Sequence, residues 1–444
     1  MSFEITHKIS DLIASSKLWI GDGYRAKNTE LDATGIPFAR AGDINDGFHF
    51  TSGDHLPEED AWKAGNKLSE AGDVVFTSKG TVGRFGFVTE GIQRFVYSPQ
   101  LCFWRSLDCE AIFPRFLFYW IQGKEFYRQY KSVSQKTDMA EYVSLSDQRS
   151  MEITLPELSS QKAIAYILGT LDDKIELNRE TNETLEAMAK SLFKSWFVDF
   201  DPVRAKAEGR STGLPDEISD LFPDSFEDSE LGEIPSGWQV NTFEQICKSI
   251  YSGGTPLTTE PNYWNGNLPW FSSGETRAPF VSRTEKAITP LGVNESSTRL
   301  ARKYSTVIAS AGQGHTRGQA SMLLLDSYVN QSVVVLEARK EISTEYYIFF
   351  DASRRYDEFR RVSDSSSSRG SLTTKILGSL LTVNPSQEIQ DLFRRAVELH
   401  IEMIASNLRE TDSLVQARDA LLPKLISGEI RIPDAERMLE EVGI

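Results

Sequence analysis

Cysteine is almost missing from this chain: Cys102, Cys109 and Cys247 are the only three in 444 residues. They are too few and too scattered for a disulfide scaffold or a zinc site. Long hydrophobic runs are missing as well. No stretch of 18 apolar residues occurs, which excludes a membrane-spanning helix. The opening MSFEITHKISDLIASSKLW lacks the apolar core and small-residue cleavage site of a secretory signal, so a cytoplasmic protein is expected. The five histidines are dispersed and form no metal-ligand spacing, and His400 reads as an ordinary helical residue. Basic charge is in deficit, with 48 Lys and Arg against 64 Asp and Glu and a net charge of -16.

That deficit does not exclude a polyanionic partner, because it is unevenly spread. Glu208 to Glu233 holds nine acids against one arginine, and so half of the net charge. Ala61 to Lys136 holds eleven Lys and Arg against six acids, and Phe271 to Ala320 seven against three. The local field decides where a polyanion docks.

What is present is a pattern of two long helices and two similar domains. From Gln161 to Phe200, the residues Ile164, Leu168, Leu171, Ile175, Asn178, Asn182, Leu185, Ala189, Leu192 and Trp196 recur at steps of three and four. That spacing predicts the seam of a coiled-coil helix. About 35 helical residues make a rod of roughly 50 Å, too long for one small domain to bury. The two asparagines on the seam favour defined register over maximal stability. A second rod is expected from Ser386 to Ile430, with Val397, Ile401, Ile404, Leu408, Val415 and Leu422 on its seam and Thr411 and Arg418 interrupting it. Ser386 can cap this helix, Gly428 can end it, and Pro423 should bend its last turns.

Each rod follows a strand-rich stretch. Gly35–Ile44, Ala71–Val88 and Phe95–Arg105 are short apolar runs broken by Gly, Ser and Asp, and Ile112–Tyr130 looks helical with Gly123 weakening its middle. Pro37 and Pro269, Gly42 and Gly274, Val75 and Val307, and Gly80 and Gly312 are each 232 apart, and Gln100 and Gln331 are 231 apart. A shared offset at five points predicts an internal duplication. The expected fold class is α+β: two mixed, strand-rich recognition domains separated by two long antiparallel coiled-coil helices, with a pseudo-two-fold internal repeat. The expected boundaries are 1–156 for the first domain, 157–200 for the first helix and 201–234 for an acidic connector. The second domain takes 235–385, the second helix 386–430 and a tail 431–444. The connector reads as extended, pinned by Leu214, Ile218, Leu221 and Phe222 as one short helical turn.

Two similar but diverged domains on a rod suit the reading of two different marks on DNA, where one helical turn is about 34 Å. The side chains that match base edges or phosphates sit on glycine-rich turns after strands. In the first domain these are Thr77, Ser78, Lys79, Thr81 and Arg84, and in the second Ser310, Gln313, His315, Thr316 and Arg317. Arg40 and Lys136, and Arg277, Arg302, Arg354, Arg369 and Lys375, are candidates to hold the backbone. The run Ser365 to Arg369 reads as a polar loop, either ordered by DNA or idle. GQGHTRG, from Gly312 to Gly318, lacks the spacing of a nucleotide-binding loop. Asp172 and Asp173 lie on the long helix, where a solvated face accounts for them. Phe193, Trp196, Phe197 and Phe200 exceed what a two-helix seam can bury, so they either pack on a flanking domain or form a docking patch for another subunit.

Over nearly its full length the chain resembles the specificity (S) subunit of type I restriction-modification systems, the HsdS family. The residues that carry the resemblance are LLPKLISGEI from Leu421 to Ile430, Gln161 to Asn178 with LFKSWFVDF following it, and GGTPLTTEPNYWNGNLPWFSSGE from Gly253 to Glu275. The first domain is the looser match: it begins without a GGTP stretch and has Ser98-Pro99-Gln100 where the second has Val329-Asn330-Gln331. The resemblance implies double-stranded DNA as a partner, read as a split asymmetric target with one half per domain. It also implies two methyltransferase (M) subunits and motor-nuclease (R) subunits as partners, and no membrane. S-adenosylmethionine, ATP and Mg2+ would belong to those partners, leaving this chain without a cofactor, metal or catalytic residue. In keeping with this, the sequence has neither a methyltransferase Asp/Asn-Pro-Pro-Tyr/Phe motif nor a Walker A loop; Asp201-Pro202-Val203 lacks the second proline. The competing expectation is a coiled-coil scaffold whose end domains bind proteins.

Overall fold

The computed structural model describes residues 5–44, 47–50, 53–79, 83–134, 143–311, 314–366 and 370–441. Thr81, Lys136, Gln313 and Arg369 lie outside them. The chain divides into two compact units, Met1–Glu176 with Ser413–Ile444, and Leu177–Asp412.

The first unit opens on the antiparallel pair Ile5–Lys8 and Glu152–Leu155. A four-stranded sheet runs Leu18–Asp22, Leu101–Ser106, Val74–Thr77, Phe85–Phe87, beside a small sheet of His55–Leu56, Ile36–Ala39 and Val96–Tyr97. The run Leu101–Trp104 is apolar on both faces because both are covered. Cys102 and Trp104 enter one core with Trp120 and Phe126, while Leu101 and Phe103 enter another with Val75 and Tyr97. Each such side chain contributes about 1.5–3 kcal/mol on burial. The expected helix around Gly123 is two helices, Pro114–Ile121 and Lys124–Ser134.

The second unit repeats the plan. Gln239–Thr242 pairs with Leu381–Asn384, and a five-stranded sheet runs Cys247–Ser252, Val333–Ala338, Thr306–Ala309, Ala320–Leu323, Phe280–Val281. A second sheet runs Lys286–Ile288, Trp264–Phe271, Ser327–Val329, Arg299–Ala301. The 232-residue offset reappears in strand register. Phe38 and Ala39 pair in parallel with Val96 and Tyr97, and Trp270 and Phe271 pair in parallel with Tyr328 and Val329. Gly23 and Gly253 occupy matching close approaches: a Cβ on either would fall 1.9 Å from a carbonyl oxygen, of Ser98 or Val329.

Matching glutamines fasten each long helix to its unit. Gln161 Oε1 accepts from Phe113 N at 2.9 Å, and its Nε2 donates to Ala111 O at 3.2 Å and Pro156 O at 2.9 Å. Gln390 Oε1 accepts from Thr344 N at 3.1 Å, and its Nε2 donates to Ile342 O at 3.1 Å and Pro385 O at 3.0 Å.

The two long helices, Leu158–Phe197 and Gln387–Ile426, each contribute to both units and pack antiparallel. In the first unit Arg418 Nη1 lies 3.0 Å from Asp172 Oδ1, and Tyr119 donates to Asp172 Oδ2 at 2.6 Å. Asp172 is therefore a seam residue and not a solvated one. In the second unit Asn178 donates to Glu410 at 2.8 Å and to Thr411 at 3.4 Å, and Asn407 donates to Asn182 at 2.9 Å. Thr411 and Arg418 thus belong to the seam as polar layers. Past Thr411 the buried residues are Leu414, Leu421 and Leu425, one position away from the expected Val415 and Leu422, which are half-buried. The helix continues through Pro423 to Ile426.

The acidic connector is more structured than its composition predicts. Helix Asp201–Ala207 leads to the short helix Asp216–Ser219 and a hairpin of Phe226–Ser229 with Gly232–Pro235. Phe222 is fully buried against Trp196, which anchors the stretch. The tail is a helix, Ile432–Glu441, whose Ala435 and Leu439 enter the first unit's core.

Candidate nucleic-acid interface

In the second unit, the edge strand Cys247–Ser252 and the facing end of helix Thr374–Ser379 border two adjoining clefts. The first, of about 450 Å³, presents Lys248, Arg339 and Lys375 around Glu244 and Cys247. The strand has a register shift between Cys247 and Ser249, and Lys248 beside it is exposed. Arg339 follows the end of Val333–Ala338, and its Nη2 donates to Cys247 O at 3.3 Å. Burial pushes the Cys247 thiol up to about 12, so the cleft floor carries no thiolate to oppose these cations. Thr373 caps the short helix, its Oγ1 accepting from Ile376 N at 3.2 Å, and this sets the position of Lys375.

The second cleft, of about 480 Å³, shares Ile250 and Thr374 with the first and is lined by Tyr251, Ser252, Arg299 and Gln331, with Ser310 buried at its floor. The Arg299 guanidinium lies 3.9 Å above the centre of the Tyr251 ring. The Tyr251 hydroxyl sits 2.8 Å from Leu300 O and 2.9 Å from Glu337 Oε1. Burial, then the bond to Glu337, pushes this phenol up, so it stays neutral under the arginine. Gln331 is exposed, and its Oε1 accepts from Thr255 Oγ1.

Several expected residues are placed elsewhere. Thr77 and Ser78 are buried; Thr77 Oγ1 accepts from Arg84 N at 3.4 Å, and Ser78 Oγ donates to Gln100 O at 3.3 Å. Arg317 is 2% exposed and paired with Asp364, and a Cβ on Gly370 would collide with its Nη1. These three were expected to face DNA; instead their polar groups turn inward, and that expectation is corrected. Ser310 is buried too, but at the cleft floor. Lys79, Arg277, His315 and Lys375 are exposed, and Thr316 is half-buried. Arg40 pairs with Asp54, Arg84 Nη1 donates to Ala41 O at 2.6 Å, and Arg302 pairs with Asp326 at 2.8 Å. Exposed Arg354 pairs with Asp351. Of the expected residues that the structure describes, only Lys375 and Ser310 line these clefts, Lys375 the first and Ser310 the second.

The docking expectation for Phe193, Trp196, Phe197 and Phe200 is also corrected. All four are buried in the second unit, where Phe193 and Phe197 pack on Phe393 and Tyr347, Trp196 on Phe222, and Phe200 on Trp238. Their packing partners lie in the connector, the second domain and the second long helix, so they are core. Lys248, Arg299, Gln331 and Arg339 were missed as site residues. Aligning the two repeats residue by residue was the available signal, since it places Arg299 opposite another cation, Lys67.

Among the described residues no group of three or more His, Cys, Asp or Glu side chains could hold a metal ion, and no helix is long and apolar enough to cross a membrane. Two units on one plan that share an antiparallel helix pair, with cationic clefts in the second, define a recognition and scaffold architecture. The family described as "Type I restriction modification DNA specificity domain" matches residues 8–187 and 235–391, and the chain belongs to it. It is therefore a DNA-recognition and scaffold subunit of a type I restriction-modification complex, non-catalytic in itself. It is 26% identical over 409 residues to the HindI specificity subunit of Haemophilus influenzae, covering 82% of this chain and 88% of that one. It is 22% identical over 368 residues to the MjaIX specificity subunit of Methanocaldococcus jannaschii, covering 83% and 80%. The crystal structure of the type I S subunit from M. genitalium shares the fold, with a TM-score of 0.60, 16% identity and 96% of both chains covered.

Proposed function

We propose that this subunit reads a split, asymmetric double-stranded DNA sequence, one half per unit, in the cytoplasm. It positions two methyltransferase subunits and the motor-nuclease subunits on that target. S-adenosylmethionine, ATP and Mg2+ act on those partners. The observation that supports this reading is the combination of shared plan and different surface: equivalent strands keep their register, while the side chains presented to solvent diverge. Identical units would favour a palindrome; diverged ones favour two unlike halves. In the second unit Lys248, Arg339 and Lys375 suit phosphates, and Gln331 suits a base edge. In the first, the exposed Lys79 is the candidate cation.

The test is duplex binding by the full chain across a salt series. Charge reversal at both Lys248 and Lys375 (K248E/K375E) should weaken binding and lower the slope of log affinity against log salt by about 2, at roughly 0.9 for each phosphate no longer neutralised. An unchanged slope would remove the clefts from the interface.

A further inference from the structure

Strand register makes the wall of the second cleft comparable, position by position, with the same place in the first unit. Leu68 bridges to Val96 in the first unit, and Leu300 pairs with Tyr328 in the second, so Lys67 and Arg299 are equivalent. Asp22 pairs with Cys102 and Gly21 with Phe103, whereas Ser252 pairs with Val334 and Tyr251 with Val335. Asp22 is therefore equivalent to Ser252, and Gly21 to Tyr251.

The consequence for the cation at this position is opposite in the two units. Lys67 Nζ is 2.8 Å from Asp22 Oδ1 and 2.9 Å from Gly23 O, so its charge is matched and its donors are engaged. In the second unit the carboxylate has become the serine of Ser252, and the hydrogen atom of Gly21 has become the ring of Tyr251. Arg299 is exposed, stacked on that ring at 3.9 Å, and among the described residues it forms no ion pair. A guanidinium seated over a ring at this distance is restrained in position by it, while its N–H groups remain open to an acceptor. A planar, bidentate, acceptor-seeking fork fits the O6 and N7 pair on the major-groove edge of guanine.

We infer that Arg299 is a specificity-determining residue that reads a guanine in the half-sequence of the second unit, and that Lys67 makes no equivalent reading in the first. Tyr251 positions the fork without touching the base. This inference rests on the proposed DNA reading, so the experiment must separate the two.

The full chain is incubated with a random-sequence duplex pool, and the bound fraction is sequenced. The parent should enrich a split sequence that includes a guanine in one half. Arg299→Ala and Arg299→Lys should each lose preference at that one position by roughly five- to 150-fold, the range for a bidentate arginine–guanine contact. The remaining positions of both halves should stay enriched. The lysine variant keeps the charge, so its loss of preference isolates the fork from simple electrostatics. Lys67→Ala should leave every base preference as it was. If the parent enriches a split sequence and both Arg299 variants enrich the same one equally well, the inference is overturned and the DNA reading stands. A parent that enriches no sequence overturns both. Thermal unfolding of each variant identifies one that has lost its fold, and Tyr251→Phe, which keeps the ring, should retain the guanine preference.

Discussion

Gln161 and Gln390 each commit a buried side-chain amide to three main-chain groups, and the two sets of partners are equivalent between the units. Neither is a residue that composition or periodicity singles out, because a glutamine near a helix start is ordinarily solvated. Removing either amide leaves an N–H and carbonyls buried without a partner, at a cost of about 1–3 kcal/mol. Gln161→Ala and Gln390→Ala should each lower the melting temperature by a few degrees, given roughly 2–4 °C per kcal/mol for a domain of this size. Calorimetry of the full chain checks this, and a shift below one degree in both variants would show that these bonds contribute nothing net. Base and phosphate contacts are the least legible features at this scale. Thr77 ends a strand, Ser78 follows it and Arg317 lies in a turn; all three are of the expected residue types, yet a polar side chain at such a place serves equally well turned inward. Arg299 stands out only once Tyr251, 48 positions earlier in the chain, is placed beneath it.

Elements were more legible than residues, because a helix or strand sums many weak preferences. Both long helices and the duplication follow from spacing, and the repeat offset survives as strand register. Where the reading slipped, the cause is local. Counting only apolar residues after Leu408 selects Val415 and Leu422, whereas the seam passes through Thr411 and Arg418, which are satisfied by Asn178 and Asp172. The connector looked extended because its acids outnumber its apolar residues, and one buried aromatic, Phe222, reverses that outcome. The polar layers also make a test. Asn182 and Asn407 meet at 2.9 Å and are half-buried. Asn182→Leu alone leaves Asn407 without its partner and should lower stability by about 1 kcal/mol. The double variant Asn182→Leu/Asn407→Leu removes both polar groups and should recover that loss or exceed the parent, since an asparagine on a seam trades stability for register. A double-mutant cycle by chemical denaturation measures the coupling. Additive losses would mean that the pair does not act as a layer.

For the molecule as a whole, the open question under the proposed function is what sets the gap between the two half-sequences. The long helices cross from one unit into the other without interruption, which makes them the natural spacer. Excising Arg179–Leu185 and Ile404–Glu410 removes one facing heptad from each helix, including the Asn182–Asn407 pair, and keeps the seam in phase on both sides. Seven residues shorten a helix by about 10 Å, close to three base pairs at about 3.4 Å each. The preferred spacer should then fall by about three base pairs, with both half-sequences unchanged. Rotation is less well matched than length. A heptad turns an ideal helix by only ~20° from register, while three of the roughly 10.5 base pairs in a turn carry the second half-site about 100° around the duplex. The shortened chain should therefore bind its new spacer more weakly than the parent binds its own, since the DNA must twist or bend to present both halves. Selection from duplexes of varied spacer length reads both effects at once. A parental spacer preference retained by the shortened chain would remove the helices as the spacer, and altered half-sequences would mean that they shape recognition as well as separate it.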